Sequence, residues 1–181
     1  MFGIEHWGVE PEIMTMAKGI ANGMPLAVTT AVPEIADAFQ KLTISTFGGN
    51  PISCAAANTT LEVIETEDLV GNSERMGQRL EEGLRKLQTQ HPRVIGDVRG
   101  KGLMLAIELV KDEEGGDRTP NPEANGLLFE ETKKRGLLIG KGGLYGNVVR
   151  ITPALTVGEN EIDQALRVFG EAFTAMEGAG G

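Results

Sequence analysis

The four residues Gly48-Gly49-Asn50-Pro51 divide this chain into two kinds of sequence, and any fold must accommodate the change. Before them run short apolar stretches broken by glycine and proline. After them the apolar residues recur at helical spacing. The junction itself predicts a loop, "STFGGNP", followed by a helix start, because Asn50 suits an N-cap and Pro51 the first helical position.

In the first zone "EIMTMA" and "PLAVTTAV" predict strands, the second rich in β-branched residues. Pro33 ends the second run, and "PEIADAF" predicts a short helical turn. In the second zone "PISCAAANTTLEVIE" predicts one helix and Asn72 to Gln90 another, with Met76, Leu80, Leu84 and Leu87 as its apolar stripe. That stripe fits a helix linking two lobes or a helix on one core. "VIGDVRGKGLMLAIELV" predicts strand, turn, strand, and "KDEEGGDRTPN" a solvated loop. "PEANGLLFEETKKRG" predicts a helix capped by Asn121, acidic early and basic late as the helix dipole favours. "LLIGKGG" and "NVVRITPAL" predict strands. The final helix carries Ile162, Ala165, Leu166, Phe169, Phe173 and Met176 at helical spacing, with "TVGE" as its expected capping box and "EGAGG" as a frayed tail.

The 181 residues suffice for one good core or two small ones. A net charge of -9 argues against nucleic acid or an anionic membrane as partner, since both recruit basic patches. No run of about 18 apolar residues is present to span a membrane. "MFGIEHWGVEPE" lacks the basic and apolar regions of a signal peptide. Cys54 is the single cysteine, so no internal disulfide forms and a reducing cytoplasm is the expected setting.

Three places could carry chemistry. Lys18 closes an apolar run and is followed by Gly19 and Gly23, which would let backbone and ligand approach closely. Burial or a nearby cation would lower its pKa enough for attack on a carbonyl. A lysine snorkelling at a strand end is the commoner explanation of the same pattern. In "STFGGNP", Ser45, Thr46 and the amides around Gly48 and Gly49 offer phosphate donors just before a helix, although the spacing matches no nucleotide motif and a tight helix-capping loop is simpler. Arg150, with apolar neighbours on both sides, is expected to be buried and to need a carboxylate or phosphate: a structural ion pair and a substrate clamp are equally good accounts. "VRGKG" resembles a phosphate cradle, but a strand-joining turn explains it more simply. His6 and His91 are too far apart in sequence to suggest a metal pair, no metal site is expected, and Cys54 reads as helix packing.

Taken together, "FGIEHWGVEPEIMTMAKGIANGMPLAV", "STFGGNPISCAAANTTLEVIE", "VRGKGLMLAIEL" and "VVRITPALTVGENEIDQAL" resemble the class III pyridoxal-phosphate-dependent aminotransferases, in particular the alanine–glyoxylate branch, over nearly the whole chain to about Met176. The resemblance implies the C-terminal portion of an α/β, fold type I transferase. Residues 1–60 would be the remnant of the cofactor-binding large domain, 61–90 linking helices, 91–177 a small C-terminal α/β domain and 178–181 a disordered tail. The N-terminal strands would belong to an incomplete, mostly parallel sheet with exposed edges and apolar faces, and the C-terminal core would rest chiefly on Leu127 to Phe129 and Ile162 to Met176.

The resemblance further implies that Lys18 ends a strand, forms the internal aldimine with pyridoxal 5'-phosphate and then shuttles the proton between Cα and C4′. Thr46 would hold the cofactor phosphate across a homodimer interface, and Arg150 would hold the substrate α-carboxylate. The implied reaction moves an amino group from an amino acid to a 2-oxo acid. Aminomutases, decarboxylases and racemase-like enzymes share the lysine within the family. The family's aspartate for the pyridine nitrogen, its Gly/Ser phosphate loop and its ring-stacking aromatic belong to segments preceding "MFGIEHWG". The expectation for the 181 residues alone is therefore weak cofactor binding and poor transamination. The alternative is a catalytically inactive truncated remnant acting as a folded or pairing module.

Overall fold

The computed structural model describes residues 1–112, 116 and 118–178. The chain forms two compact units, Met1–Val70 and Gly71–Gly181. In the first, a 3₁₀ turn at Gly3–Trp7 precedes β1 (Ile13–Met16), and a second at Lys18–Ala21 precedes β2 (Val28–Ala31). The short α1 (Pro33–Asp37) begins at a proline, as the sequence predicts. The long α2 (Pro51–Thr66) starts where Asn50 and Pro51 place it, with the Asn50 side chain accepting from the Ser53 amide at 3.0 Å.

β1 and β2 pair with each other and run antiparallel, with Ile13 opposite Ala31 and Met16 opposite Val28. This corrects the expectation of a mostly parallel arrangement. Neither strand has a second neighbour among the described residues. Trp7, Phe39, Leu42, Ile44, Phe47 and Ile52 are all exposed. Exposed apolar surface of this extent is characteristic of interaction faces.

The second unit is an antiparallel sheet with helices on one face. β3 (Ile95–Lys101), β4 (Met104–Lys111), β7 (Val148–Ile151) and β6 (Gly140–Gly142) lie in that spatial order, and β5 (Thr119–Pro120) pairs with the end of β4. Alternation sorts the strand residues onto two faces. Val98, Leu105, Ile107, Leu109 and Val149 point into the core. There they meet α3 (Leu69–Gln90), α4 (Pro122–Lys134) and α5 (Glu159–Gly178). The stripe Met76, Leu80, Leu84 and Leu87 is wholly buried in this core, so α3 serves one core here. Phe169 and Phe173 are the largest side chains fully enclosed. Leu128, not Leu127, is the α4 anchor: Leu127 is exposed, because the helix turns it away. At the edge of the core His91 stacks on Phe173 and meets Glu177 at 2.9 Å. On the surface, Arg79 grips Asp163 through Nε and Nη2, each at 2.8 Å, and holds that carboxyl below its usual range.

Two local expectations shift. The α5 start lies beyond Thr156: its first helical residue is Glu159, and the Glu161 carboxylate accepts the Gly158 amide at 3.0 Å. The reciprocal contact thus sits two residues later than "TVGE" predicts. Gly178, expected in the tail, ends α5, and 179–181 lie outside the described residues. So does most of the loop expected after Lys111. Among the described residues no helix is long and apolar enough to cross a membrane.

"VRGKG" is the end of β3 running into the turn to β4, which is Gly102–Leu103. Gly102 has φ +50, as the first position of a two-residue hairpin turn requires. Ser73 of α3 accepts the Leu103 amide through its hydroxyl at 3.2 Å, so one donor of the turn is already in use. α3 lies so close that a Cβ on Gly77 would fall 2.3 Å from the Gly102 carbonyl carbon. At Gly83 an added Cβ would meet only the movable tip of Leu166. At an open helical site Gly→Ala stabilises by about 1 kcal/mol. Gly77→Ala is expected instead to destabilise the second unit by about 3 kcal/mol, because backbone cannot rotate away. The urea midpoint reads this, and an unchanged or raised midpoint would show that the turn gives way freely.

Candidate active site

Lys18 is the first residue of the second 3₁₀ turn, two positions beyond the end of β1 rather than within the strand. Its side chain is exposed and its backbone is left-handed, with φ 55. That conformation crowds the Cβ of an L-residue against its own backbone. Asn22 follows at φ 44 and Gly23 at φ +108, so three of six residues sit at positive φ. Ala21, at the end of the turn, is fully buried, and α2 packs against the turn. The strained residue therefore stands on an anchored base. Around Gly19 and Gly23 an added Cβ would meet nothing within 4 Å, so the ground beside Lys18 is open.

Thr46 opens the tight turn before α2 and is exposed. Not every donor expected of this loop is free. The Gly48 amide donates to the Ser45 carbonyl at 3.2 Å, and the Asn50 amide to Phe47 at 3.3 Å. The Asn50 side chain occupies the start of α2, accepting from Ser53 and donating to the Phe47 carbonyl at 2.9 Å. The Thr46 hydroxyl bonds to none of the described residues and is available to a ligand.

Arg150 lies in the second unit, on the sheet face opposite the core, and is exposed rather than buried. Its neighbours Val149 and Ile151 point the other way, which is why an apolar run surrounds it in sequence. Its side chain makes no hydrogen bond or ion pair with any described residue. Arg99, on the same face, shows the contrast. It meets Asp97 at 2.9 Å and Glu108 at 2.6 Å, which hold its guanidinium above the ordinary range. Of the two arginines, Arg150 is the one left to bind something else. It also borders a 250 Å³ cavity with mostly apolar walls, including Leu80, Leu137, Ile151, Val157 and Phe169. Among the described residues no group of three or more His, Cys, Asp or Glu could hold a metal.

An amine on a strained turn, a hydroxyl in a helix-capping loop and an unpaired guanidinium are thus the three groups the sequence singles out, and all three are exposed. The class III aminotransferase family model matches residues 1–173. The chain belongs to the class III aminotransferase family. It is 40% identical over 179 residues to human mitochondrial alanine–glyoxylate aminotransferase 2, matching 95% of this chain and 34% of that protein. An aminotransferase from Bacillus anthracis superposes with a TM-score of 0.88 at 37% identity, over 96% of this chain and 41% of its own. An amine transaminase from an uncultivated Pseudomonas species, in its PLP-bound internal-aldimine form, gives 0.86 at 34% identity, over 97% and 41%. The chain therefore spans about a third of the length of the curated relative. It matches the expected C-terminal portion of an α/β transaminase.

The strain at Lys18 generates a test. Glycine adopts a left-handed backbone without the Cβ clash, which costs other residues about 1–2 kcal/mol, partly offset by glycine's greater entropy loss. Lys18→Gly is expected to slow amide hydrogen exchange across β1 and β2, by up to about 1 kcal/mol of opening free energy. Lys18→Ala should leave these rates unchanged. Equal rates in all three proteins would mean the turn carries no strain.

Proposed function

We propose that this chain supplies the lysine, the phosphate-binding threonine and the carboxylate-binding arginine of a pyridoxal 5'-phosphate-dependent aminotransferase that moves an amino group from an amino acid to a 2-oxo acid. The observation that carries the reading is Lys18, an exposed amine held in left-handed backbone on an anchored turn, within a chain that matches one family from residue 1 to 173. Strained backbone at a reactive group is a recurrent mark of function.

The residues fit the cofactor. A primary amine is the group that condenses with an aldehyde, and the open ground beside Gly19 and Gly23 leaves room for a ring. The unpartnered Thr46 hydroxyl is a donor of the kind phosphate oxygens accept. Pyridoxal phosphate, when bound, supplies the electron sink that acidifies the substrate Cα–H. The chain's own residues do the rest. Lys18 would hold the cofactor through its amine, and that amine would serve as the base that moves the proton at the substrate Cα. Arg150 takes the α-carboxylate bidentately and fixes which Cα bond faces the sink.

We assign residues 1–60 to the cofactor-binding large domain, 61–90 to linking helices and 91–177 to the small domain. The partner is a second copy of the chain, with Thr46 reaching into the neighbour's site. The setting is the cytoplasm, in line with a single free cysteine, Cys54.

Addition of pyridoxal phosphate followed by borohydride reduction and peptide mapping tests the reading. A pyridoxyl adduct concentrated on Lys18, and lost in Lys18→Ala, is expected. Labelling spread evenly over surface lysines such as Lys41, Lys101 and Lys141 would favour the catalytically inactive folded or pairing module instead.

A further inference from the structure

One row of residues crosses the open face of the sheet. Arg99 on β3 stands opposite Ala106 on β4, Ala106 opposite Arg150 on β7, and Arg150 opposite Gly140 on the edge strand β6. Gly142, two residues along β6, faces the same way. Between them Lys141 turns to the helical side, where its ammonium sits 4.4 Å from the centre of the Phe129 ring. The edge strand is therefore bare on one face only, the face that Arg150 shares.

The Arg150 side chain lies over this bare strip. A Cβ built on Gly142 would fall 3.4 Å from both Cγ and Cδ of Arg150, and 3.6 Å from Nε. A Cβ on Gly140 would fall 3.3 Å from the Arg150 carbonyl oxygen, 3.5 Å from its Cβ and 3.8 Å from Nε. Neither glycine has a positive φ, in contrast to Gly143 at φ +83, so backbone conformation does not demand glycine at 140 or 142. Glycine within a strand weakens it and often marks a close approach. Here what approaches is the arm of Arg150. At Gly142 a methyl would touch that arm at ordinary contact distance, whereas a branched side chain would occupy the space the methylenes hold; at Gly140 the side chain would crowd the root of the arm and Nε.

We propose that Gly140 and Gly142 are positioning residues for Arg150. They form a side-chain-free floor on which the arm lies flat, so the guanidinium is held at the β6 edge before any ligand arrives. Fewer rotamers are then lost when a carboxylate binds. The inference rests on the assignment of Arg150 as the substrate-carboxylate clamp and deepens it by naming what aims the clamp. From the sequence alone "LLIGKGG" predicts only a strand. The available signal was a pair of glycines at period two beside a strand with one lone arginine.

The test uses the full chain, ¹⁵N-labelled at arginine, with pyruvate as the carboxylate probe and chloride at equal ionic strength as reference. The Arg150 Nε–Hε signal reports pyruvate binding, and its heteronuclear NOE reports arm mobility. In the wild type a rigid arm and a saturable pyruvate response are expected. Gly142→Ala should stay within about twofold of wild-type affinity, since a methyl fits. Gly142→Val and Gly140→Val should each weaken pyruvate binding about tenfold and raise arm mobility, with Leu105 and Val149 methyl contacts unchanged as proof of fold. Wild-type affinity and rigidity in both valine variants would overturn the positioning role and leave Arg150 as the clamp. An Ala variant as damaged as the Val variants would overturn it too, because the effect would then be loss of fold. No pyruvate response at Arg150 in the wild type would overturn the clamp and the positioning role together.

Discussion

The alternation of β4 and β7 governs the second unit. Leu105, Ile107 and Leu109 point one way with Val149 and bind three helices by burial. Ala106, Glu108 and Arg150 necessarily point the other way. The same pleat that builds the hydrophobic core thus presents Arg150, the proposed carboxylate clamp, on the opposite face. Core packing and site geometry cannot be varied independently, since both are read off one register.

The first unit follows a different logic. It has four buried residues of note, Ala21, Ser53, Ala57 and Leu69, and a broad exposed apolar surface. Its strands are short and pair only with each other among the described residues. What it does fix is local: the left-handed backbone at Lys18, the buried foot at Ala21 and the Asn50 cap on α2. These are features of a chain segment that presents side chains to something else.

Much of the fold was legible because its signals are local. Apolar spacing located α3 and α5, and Asn-Pro pairs located the starts of α2 and α4. The sidedness of a strand is not local. "NVVRITPAL" suggested a buried arginine because its neighbours are apolar, but those neighbours face the core and Arg150 does not. Leu127 misled for a related reason: within "GLLF" a helix buries Leu128 and exposes its twin. Strand direction in the first zone was inferred from a whole-domain sheet, while the residues present form an antiparallel pair. At Lys18 the positive φ has no sequence signature, since lysine is not a residue that favours it. Only Asn22-Gly23 hinted that the turn was left-handed. The glycines of β6 were visible but unreadable until Arg150 was seen lying on them.

Asn125 of α4 gives the register a lock. It is fully buried, and its amide nitrogen donates to the carbonyls of Gly146, at 2.7 Å, and Val148, at 3.2 Å. Asn147 adds a second fastening to the Leu109 carbonyl at 2.9 Å. A slip of β7 by one residue would drive a guanidinium into oil and leave these amides orphaned at the same stroke. Drift of the arginine along the sheet is therefore forbidden as a small adjustment, and the domain holds its cation in place or melts.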